Sequence, residues 1–150
     1  MYFELSVVIR RSPGDVFAFL RDKDQIRQKE NSPVLLIEKT TAGPTGVGTR
    51  YREVVQMLPF LRGEILSEIT RCEPGRFLEE DFQGAGMQGH LAYQFLPEGE
   101  GTRLIQRENL SVQGFIKPFS PVMERALSHR LRERLDGIKT FLESGRTTGE

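Results

Sequence analysis

The C-terminal segment limits the fold more than any other part of the chain, because it predicts one long amphipathic helix. Ser120 and Pro121 are typical of a helix start, and Gly145 is typical of a helix end. Apolar residues recur there at helical spacing and fall in one broad arc: Met123, Leu127, Leu131, Leu135, Ile138, Phe141 and Leu142. A stripe of this width is stable only when buried, so the rest of the chain must supply a large apolar surface.

Residues 34–113 are strand-like almost throughout, so we expect them to form a sheet that supplies the apolar surface. Six short runs, among them "VLLIEKTT", "GTRYREVVQML" and "MQGHLAYQFLP", are separated by Gly, Pro and acidic turn residues. Short connections between strands favour an antiparallel meander. Residues 2–11 add one more strand, because they are apolar at every second position: Phe3, Leu5, Val7 and Ile9.

Two short helices are predicted between the first strand and the meander. Ser12 and Pro13 are typical of a helix start, and this helix extends to about Leu20. The segment "DKDQIRQK" predicts a second helix of one or two turns. We expect residues 1–143 to form one domain and residues 144–150, "SGRTTGE", to be a disordered tail.

Composition argues against several classes of protein. Lys and Arg together number 21, as do Asp and Glu, and this balance removes the simplest electrostatic case for nucleic-acid binding. The single cysteine, Cys72, excludes an intramolecular disulfide and a multi-cysteine metal site. The N-terminus lacks the pattern of a signal peptide, and no run approaches ~18 apolar residues. These features predict a soluble, cytoplasmic protein without an integral membrane segment.

Neither histidine is predicted to belong to a catalytic or metal site. His90 alternates with Leu91 and Tyr93, so it should face outward if they face the core. His129 lies opposite the apolar arc of the long helix. We therefore expect no metal and no organic cofactor.

The glycine-rich segment "GPTGVGTRY", residues 43–51, raises the question of a phosphate-binding loop. It lacks the Gly-Lys-Ser/Thr ending of such loops, and a strand rather than a helix follows it. We interpret it as a hairpin connection in which Gly43, Gly46 and Gly48 permit positive φ and Pro44 stiffens the turn.

The order of these elements resembles the polyketide cyclase/dehydrase and START-related lipid-binding superfamily (SRPBCC). The resemblance is carried by "SPGDVFAFLRD", "GVGTRYRE", "GTRLIQRENL" and "KPFSPVMERALSHRLRERLDGIKTFLE", and it covers nearly the whole chain. It implies an α+β helix-grip fold, in which a curved antiparallel sheet of about seven strands wraps around the C-terminal helix. It also implies an apolar cavity between sheet and helix. Many members have a tryptophan after the second short helix, whereas this chain has none.

If the cavity exists, its wall is predicted from the inward positions of the strands and the apolar arc of the helix. A filled core without a cavity is the alternative. The hydroxyl groups of the two tyrosines in the wall could orient a ligand. The predicted ligand-binding residues are Tyr51, Val55, Phe82, Leu91, Tyr93, Phe95, Met123, Leu127 and Arg134.

Arg134 is the least expected member of this set, because a guanidinium falls within the apolar arc. It either extends past the helix to a surface acid, or it meets a buried carboxylate or an anionic ligand head group. Glu53 and Glu108 are the candidate internal partners and the only candidate catalytic groups. A shift of one residue in strand register turns both of them outward.

Three functions remain open at this point. The first is binding or transport of a small hydrophobic or amphipathic molecule; the second is a cyclase or dehydratase that uses Glu53 or Glu108. The third is a protein-interaction module of the chaperone-activator kind. The apolar hairpin tip Met57–Leu61 offers a surface for peripheral membrane contact or for a homodimer, and a monomer is the alternative.

Overall fold

Seven strands and two α-helices are found in the part of the chain that the structure, a computed structural model, describes: residues 1–25 and 34–145. The strands are β1 (Tyr2–Ile9), β2 (Val34–Lys39), β3 (Arg50–Leu58), β4 (Leu61–Glu73), β5 (Phe77–Gly84), β6 (Met87–Glu98) and β7 (Gly101–Val112). The helices are α1 (Pro13–Arg21) and α2 (Ser120–Glu143), and two 3₁₀ segments span Lys23–Gln25 and Gly114–Phe119.

The strands form one antiparallel sheet in the order β1-β7-β6-β5-β4-β3-β2. The meander predicted from the short loops is therefore confirmed, and β1 closes it by pairing with the last strand. The glycine-rich segment connects β2 to β3 as predicted, and Gly43 and Gly48 both have φ of +90°. Side chains other than glycine rarely adopt that conformation, which accounts for Gly43 and Gly48 without a nucleotide. The same prediction for Gly46 was wrong, because its φ is not positive.

The short helices begin where the sequence predicts. The Ser12 hydroxyl accepts a hydrogen bond from the Asp15 amide at 3.2 Å and so caps α1. The second predicted helix begins as the 3₁₀ turn Lys23–Gln25, and the rest of its predicted length lies outside the described residues. Residues 146–150 of the predicted tail also lie outside them.

Helix α2 packs closely only along its second half. There Leu135, Ile138 and Leu142 are buried in the core. Two basic residues of the helix also hold it to β1: Arg132 donates to the Ser6 carbonyl at 2.9 Å and Lys139 to the Val8 carbonyl at 2.7 Å. The second half of α2 is therefore a fixed wall of the core.

The first half of the same apolar stripe remains partly accessible. Met123, Leu127 and Leu131 are only half-buried, although they continue the stripe that is buried further along. An open groove of about 580 Å³ lies between the edge strand β1 and the start of α2, and most of the residues that line it are polar or charged: Tyr2, Phe3, Glu4, Pro121, Glu124, Arg125 and Ser128. Met123, Leu127 and Leu131 do not line that groove, so their partial exposure is a separate feature of the first turns of the helix.

Candidate functional site

The register of the sheet places both candidate carboxylates on its inner face. Glu53 lies opposite Ile65, and Glu108 lies opposite Leu91 on one side and the buried Phe3 on the other. Residues directly opposite one another in antiparallel strands share a face. The sequence left the strand register open, and the observed register places Glu53 and Glu108 on the inner face.

A buried lysine gathers polar groups from three elements around it. Lys23, in the 3₁₀ turn after α1, donates to both carboxylate oxygens of Glu80 at 3.1 and 3.2 Å and to the Ser67 hydroxyl at 3.1 Å. Its ammonium also lies 3.8 Å from the Glu53 carboxylate and 4.8 Å from the centre of the Tyr51 ring. We call Lys23, Glu53, Ser67 and Glu80 the lysine cluster; all four face the interior.

Sequence reasoning missed Lys23 and Glu80. Glu80 lies two residues from Leu78 and two from Phe82, and residues at this spacing share a strand face. Strand periodicity could therefore have placed Glu80 on the inner face. Lys23 stands in the charged run "RDKD", which is typical of a solvated surface, and only the three-dimensional fold brings it over the sheet.

Arg134 reaches from α2 to the inner face of the sheet. Its guanidinium donates to the Tyr93 hydroxyl at 2.8 Å, although Tyr93 is 4% exposed and Arg134 itself remains accessible. The tip of the Arg134 side chain therefore lies at the inner face of the sheet rather than on the outer surface. Arg134 does not extend to a surface acid; it binds the Tyr93 hydroxyl instead.

Glu108 also lies on the inner face of the sheet, and its carboxylate has no hydrogen-bond or ion-pair partner among the described residues. Burial raises the pKa of Glu108 to about 7, with Arg134 acting to lower it and Glu80 to raise it further. Burial likewise raises the pKa of the neighbouring Tyr93 phenol to about 12, so the tyrosine remains protonated at neutral pH.

Gln106 is a third polar residue that the sequence did not single out as a site. It lies opposite Tyr93 on the inner face, is fully buried, and has no hydrogen-bond partner for either atom of its amide among the described residues. Gln106 lies two residues from Leu104, so strand periodicity places both on the same face. Nothing in the sequence predicts that the Gln106 amide is unpaired. A buried amide without partners is costly, by about 1–3 kcal/mol.

The remaining predicted ligand-binding residues lie on the inner face of the sheet or on α2, and they differ in burial. The Tyr51 hydroxyl is engaged, since it donates to the Arg21 carbonyl at 3.0 Å, and burial raises the pKa of Tyr51 to about 12. Leu91 and Phe95 are buried in the core, where the Phe95 ring packs edge-on against Phe17. Those that are half-buried are Val55, Phe82, Met123 and Leu127.

Both histidines lie away from this site. The His90 ring bridges Asp81 at 2.6 Å and Glu79 at 2.9 Å on the outer face of the sheet, and His129 is exposed on α2 beside Glu133. Over residues 1–25 and 34–145, no cluster of His, Cys, Asp and Glu side chains is arranged to hold a metal ion. In the same ranges no helix has both the length and the apolar character needed to cross a bilayer.

A curved seven-stranded antiparallel sheet around a long C-terminal helix, with polar groups on its inner face, defines the helix-grip class of protein. The sequence matches the family model "Polyketide cyclase / dehydrase and lipid transport" over residues 2–143, and the chain belongs to that family. No curated protein matches the sequence significantly.

Solved structures with the same fold have low sequence identity to the chain. The crystal structure of TTHA0849 from Thermus thermophilus is 18% identical, with a TM-score of 0.73, and covers 98% of this chain and 100% of its own. That of Ara h 8.0201 is 14% identical, with a TM-score of 0.76 and coverage of 96% and 98%. A START superfamily protein from Mycobacterium smegmatis is 12% identical, with a TM-score of 0.66 and coverage of 91% and 98%.

Proposed function

We propose that the protein binds a small hydrophobic or amphipathic molecule between the inner face of the sheet and the first half of α2. One observation carries this proposal: the apolar stripe of α2 is buried at Leu135, Ile138 and Leu142 but only half-buried at Met123 and Leu127. Apolar side chains left partly accessible in a cleft are stabilised by any apolar molecule that covers them. The family description, which names lipid transport, supports the same proposal.

Nile red, a neutral apolar dye, provides a direct test. We expect saturable fluorescence enhancement with one dye per chain, and native mass spectrometry of freshly purified protein should show co-purified small molecules. Leu127→Gln should weaken dye binding by about tenfold, because it places an amide in the apolar cleft. Val122→Gln is the matched control, since Val122 is 71% exposed on the same helix. Equal loss in both variants, or no saturable binding by the native protein, would contradict the proposal.

A second candidate function is acid–base catalysis of the cyclase or dehydratase kind, and one observation favours it. Glu108 is an unpartnered, half-buried carboxylate whose pKa burial raises to about 7. A carboxylate with such a pKa accepts and returns protons at neutral pH. Its position next to the hydrogen-bonded pair Arg134 and Tyr93 would supply donors to an oxygen that gains negative charge.

Ring opening of 5-nitrobenzisoxazole tests this second function, because the reaction needs only a positioned base in an apolar site. We expect a rate that increases through about pH 7, as the carboxylate of Glu108 ionises. Glu108→Gln should abolish the enzymatic rate, whereas Glu133→Gln, at an exposed position of α2, should retain it. A Glu108→Gln variant that keeps the native rate would exclude Glu108 as the base.

A further inference from the structure

Arg134 and Glu108 face the same space but do not pair with each other. The Arg134 guanidinium has the Tyr93 hydroxyl as its hydrogen-bond partner, at 2.8 Å. The Glu108 carboxylate has no described residue within hydrogen-bonding distance, and the two side chains are not within the 4.0 Å of an ion pair. Because Tyr93 and Glu108 are diagonal neighbours on the inner face of the sheet, a charged donor and a charged acceptor lie near each other there without a direct contact.

The surrounding charges disfavour a charged ligand group between Arg134 and Glu108. Within the described ranges, the inner face carries three carboxylates that act on Arg134, those of Glu53, Glu80 and Glu108. Lys23 offsets the charge of Glu80, but the unpartnered Glu108 carboxylate would repel an anionic head group at Arg134. A cationic head group would in turn lie beside the Arg134 guanidinium.

Gln106 provides an independent observation that points to the same chemistry. Its fully buried amide lacks both a donor and an acceptor partner among the described residues, and it lies two residues from Glu108 on the same face of β7. An amide in this state lacks an acceptor for its N–H groups and a donor for its carbonyl oxygen. The sheet thus presents unfilled donors and acceptors side by side.

We infer that the ligand of the proposed function, on which this inference rests, carries a neutral hydroxyl or amide group that accepts a hydrogen bond from Arg134 and donates one to Glu108. The oxygen of such a group satisfies the guanidinium, and its O–H or N–H satisfies the carboxylate. The apolar body of the ligand then lies along Leu127 and Met123, in the cleft under the first turns of α2.

Two ligands of equal chain length separate the two hydrogen bonds. 1-Decanol both accepts and donates, whereas decyl methyl ether accepts but cannot donate. Displacement of Nile red at pH 8, where the Glu108 carboxylate is mostly ionised, should show decanol binding about tenfold more tightly than the ether, although the ether has more apolar surface. Sodium decanoate and decylamine should displace the dye less well than decanol.

Variants assign this difference to the two residues. In Glu108→Leu the alcohol and the ether should bind equally, while Glu108→Gln, which keeps an acceptor oxygen, should retain part of the preference. Arg134→Met should weaken both ligands by a similar factor, because both lose the same donor. Glu133→Leu, at an exposed position of α2, is the control and should keep the tenfold preference.

The outcomes also distinguish the inference from the function on which it rests. Saturable dye binding with equal displacement by decanol and ether would overturn the inference and leave the proposed function standing. The same holds if decanoate binds more tightly than decanol, or if the preference persists in Glu108→Leu. If neither the dye nor any of the four amphiphiles binds, the proposed function fails together with the inference.

Discussion

Lys23 shows how one side chain can fix a helix to a sheet from the inside. Its ammonium lies at the end of the short helical region, yet it binds Glu80 of β5 and Ser67 of β4. The Lys23 and Glu80 side chains are 10% and 17% exposed, so the ion pair is largely desolvated. Removal of one partner from such a pair leaves an uncompensated charge, which costs more than the pair itself contributes.

We therefore predict that Lys23→Met lowers the free energy of unfolding by about 2–4 kcal/mol. The double variant Lys23→Met/Glu80→Gln should recover part of that loss, because it removes the stranded carboxylate. Urea denaturation of the native protein, both single variants and the double variant measures the coupling. Arg52→Met is the control, since Arg52 pairs with Glu64 at the surface and should contribute less than about 1 kcal/mol. A double variant less stable than Lys23→Met would contradict the explanation.

His90 makes a pH-dependent contribution on the outer face. Burial acts to lower the pKa of His90, but hydrogen bonds to the Asp81 and Glu79 carboxylates outweigh it and raise the pKa above its ordinary value. A group whose pKa is raised in the folded state stabilises the fold below its unfolded pKa of about 6.5 and loses that effect as the pH rises through the folded pKa. Arg71 also pairs with Glu79 and faces the same cluster.

His90→Gln should accordingly destabilise the protein near pH 6 and change its stability little near pH 9. The effect should be small, below about 1 kcal/mol, and should shrink in high salt, because the His90 side chain is 38% exposed. Thermal denaturation at both pH values measures it. A loss of stability that is larger at pH 9 than at pH 6 would have the wrong sign for this mechanism.

Helix α2 is one element with two different environments. Leu135 is fully buried in the core, whereas Leu127, two turns earlier in the same stripe, is half-buried beside the cleft. The sequence pattern is the same in both halves, so periodicity predicted the helix and its bounds but not this division. The difference arises from how far the sheet approaches the helix, which is a property of the assembled fold.

Paired alanine substitutions test that division. Leu135→Ala should cost about 2–5 kcal/mol of unfolding free energy, because it leaves a cavity in packed surroundings. Leu127→Ala should cost less than about 1.5 kcal/mol but should weaken Nile red binding, since it removes part of the proposed ligand contact. Denaturant titrations and dye titrations of the same two variants give both quantities. Equal stability losses would mean that both halves of α2 are packed alike.

The strands show what local sequence can and cannot predict. Their order and bounds follow from alternation and from Gly and Pro at the turns, and each predicted strand lies within two residues of the observed one at either end. Glu53 and Glu108 were recognised as candidates because each shares a strand face with apolar residues, such as Val55 for Glu53 and Leu110 for Glu108. The contacts of Lys23 with Glu80 and of Arg134 with Tyr93 join residues 57 and 41 positions apart. No local pattern encodes such pairings.

At the scale of the whole molecule, the protein combines a packed half with an open one. The second half of α2, α1 and the central strands share one core, whereas the inner face of β7 carries two polar residues that lack partners among the described residues: Glu108 and Gln106. A ligand that binds only the folded state adds RT ln(1 + [L]/Kd) to stability, about 2.7 kcal/mol at a hundredfold excess over Kd. We expect this added stability to appear mainly as reduced local opening in the first half of α2.

We therefore predict that 1-decanol raises the melting temperature in a saturable manner and slows amide hydrogen exchange mainly in residues 120–131. Amides around Leu135 and Ile138 should change less, because their side chains are buried without a ligand. Hydrogen exchange measured by mass spectrometry, with and without decanol, resolves the two halves of the helix. Leu127→Gln is the control and should lose both effects. Protection that increases evenly along α2, or a melting temperature unaffected by decanol, would show that the first half of the helix does not form the binding site.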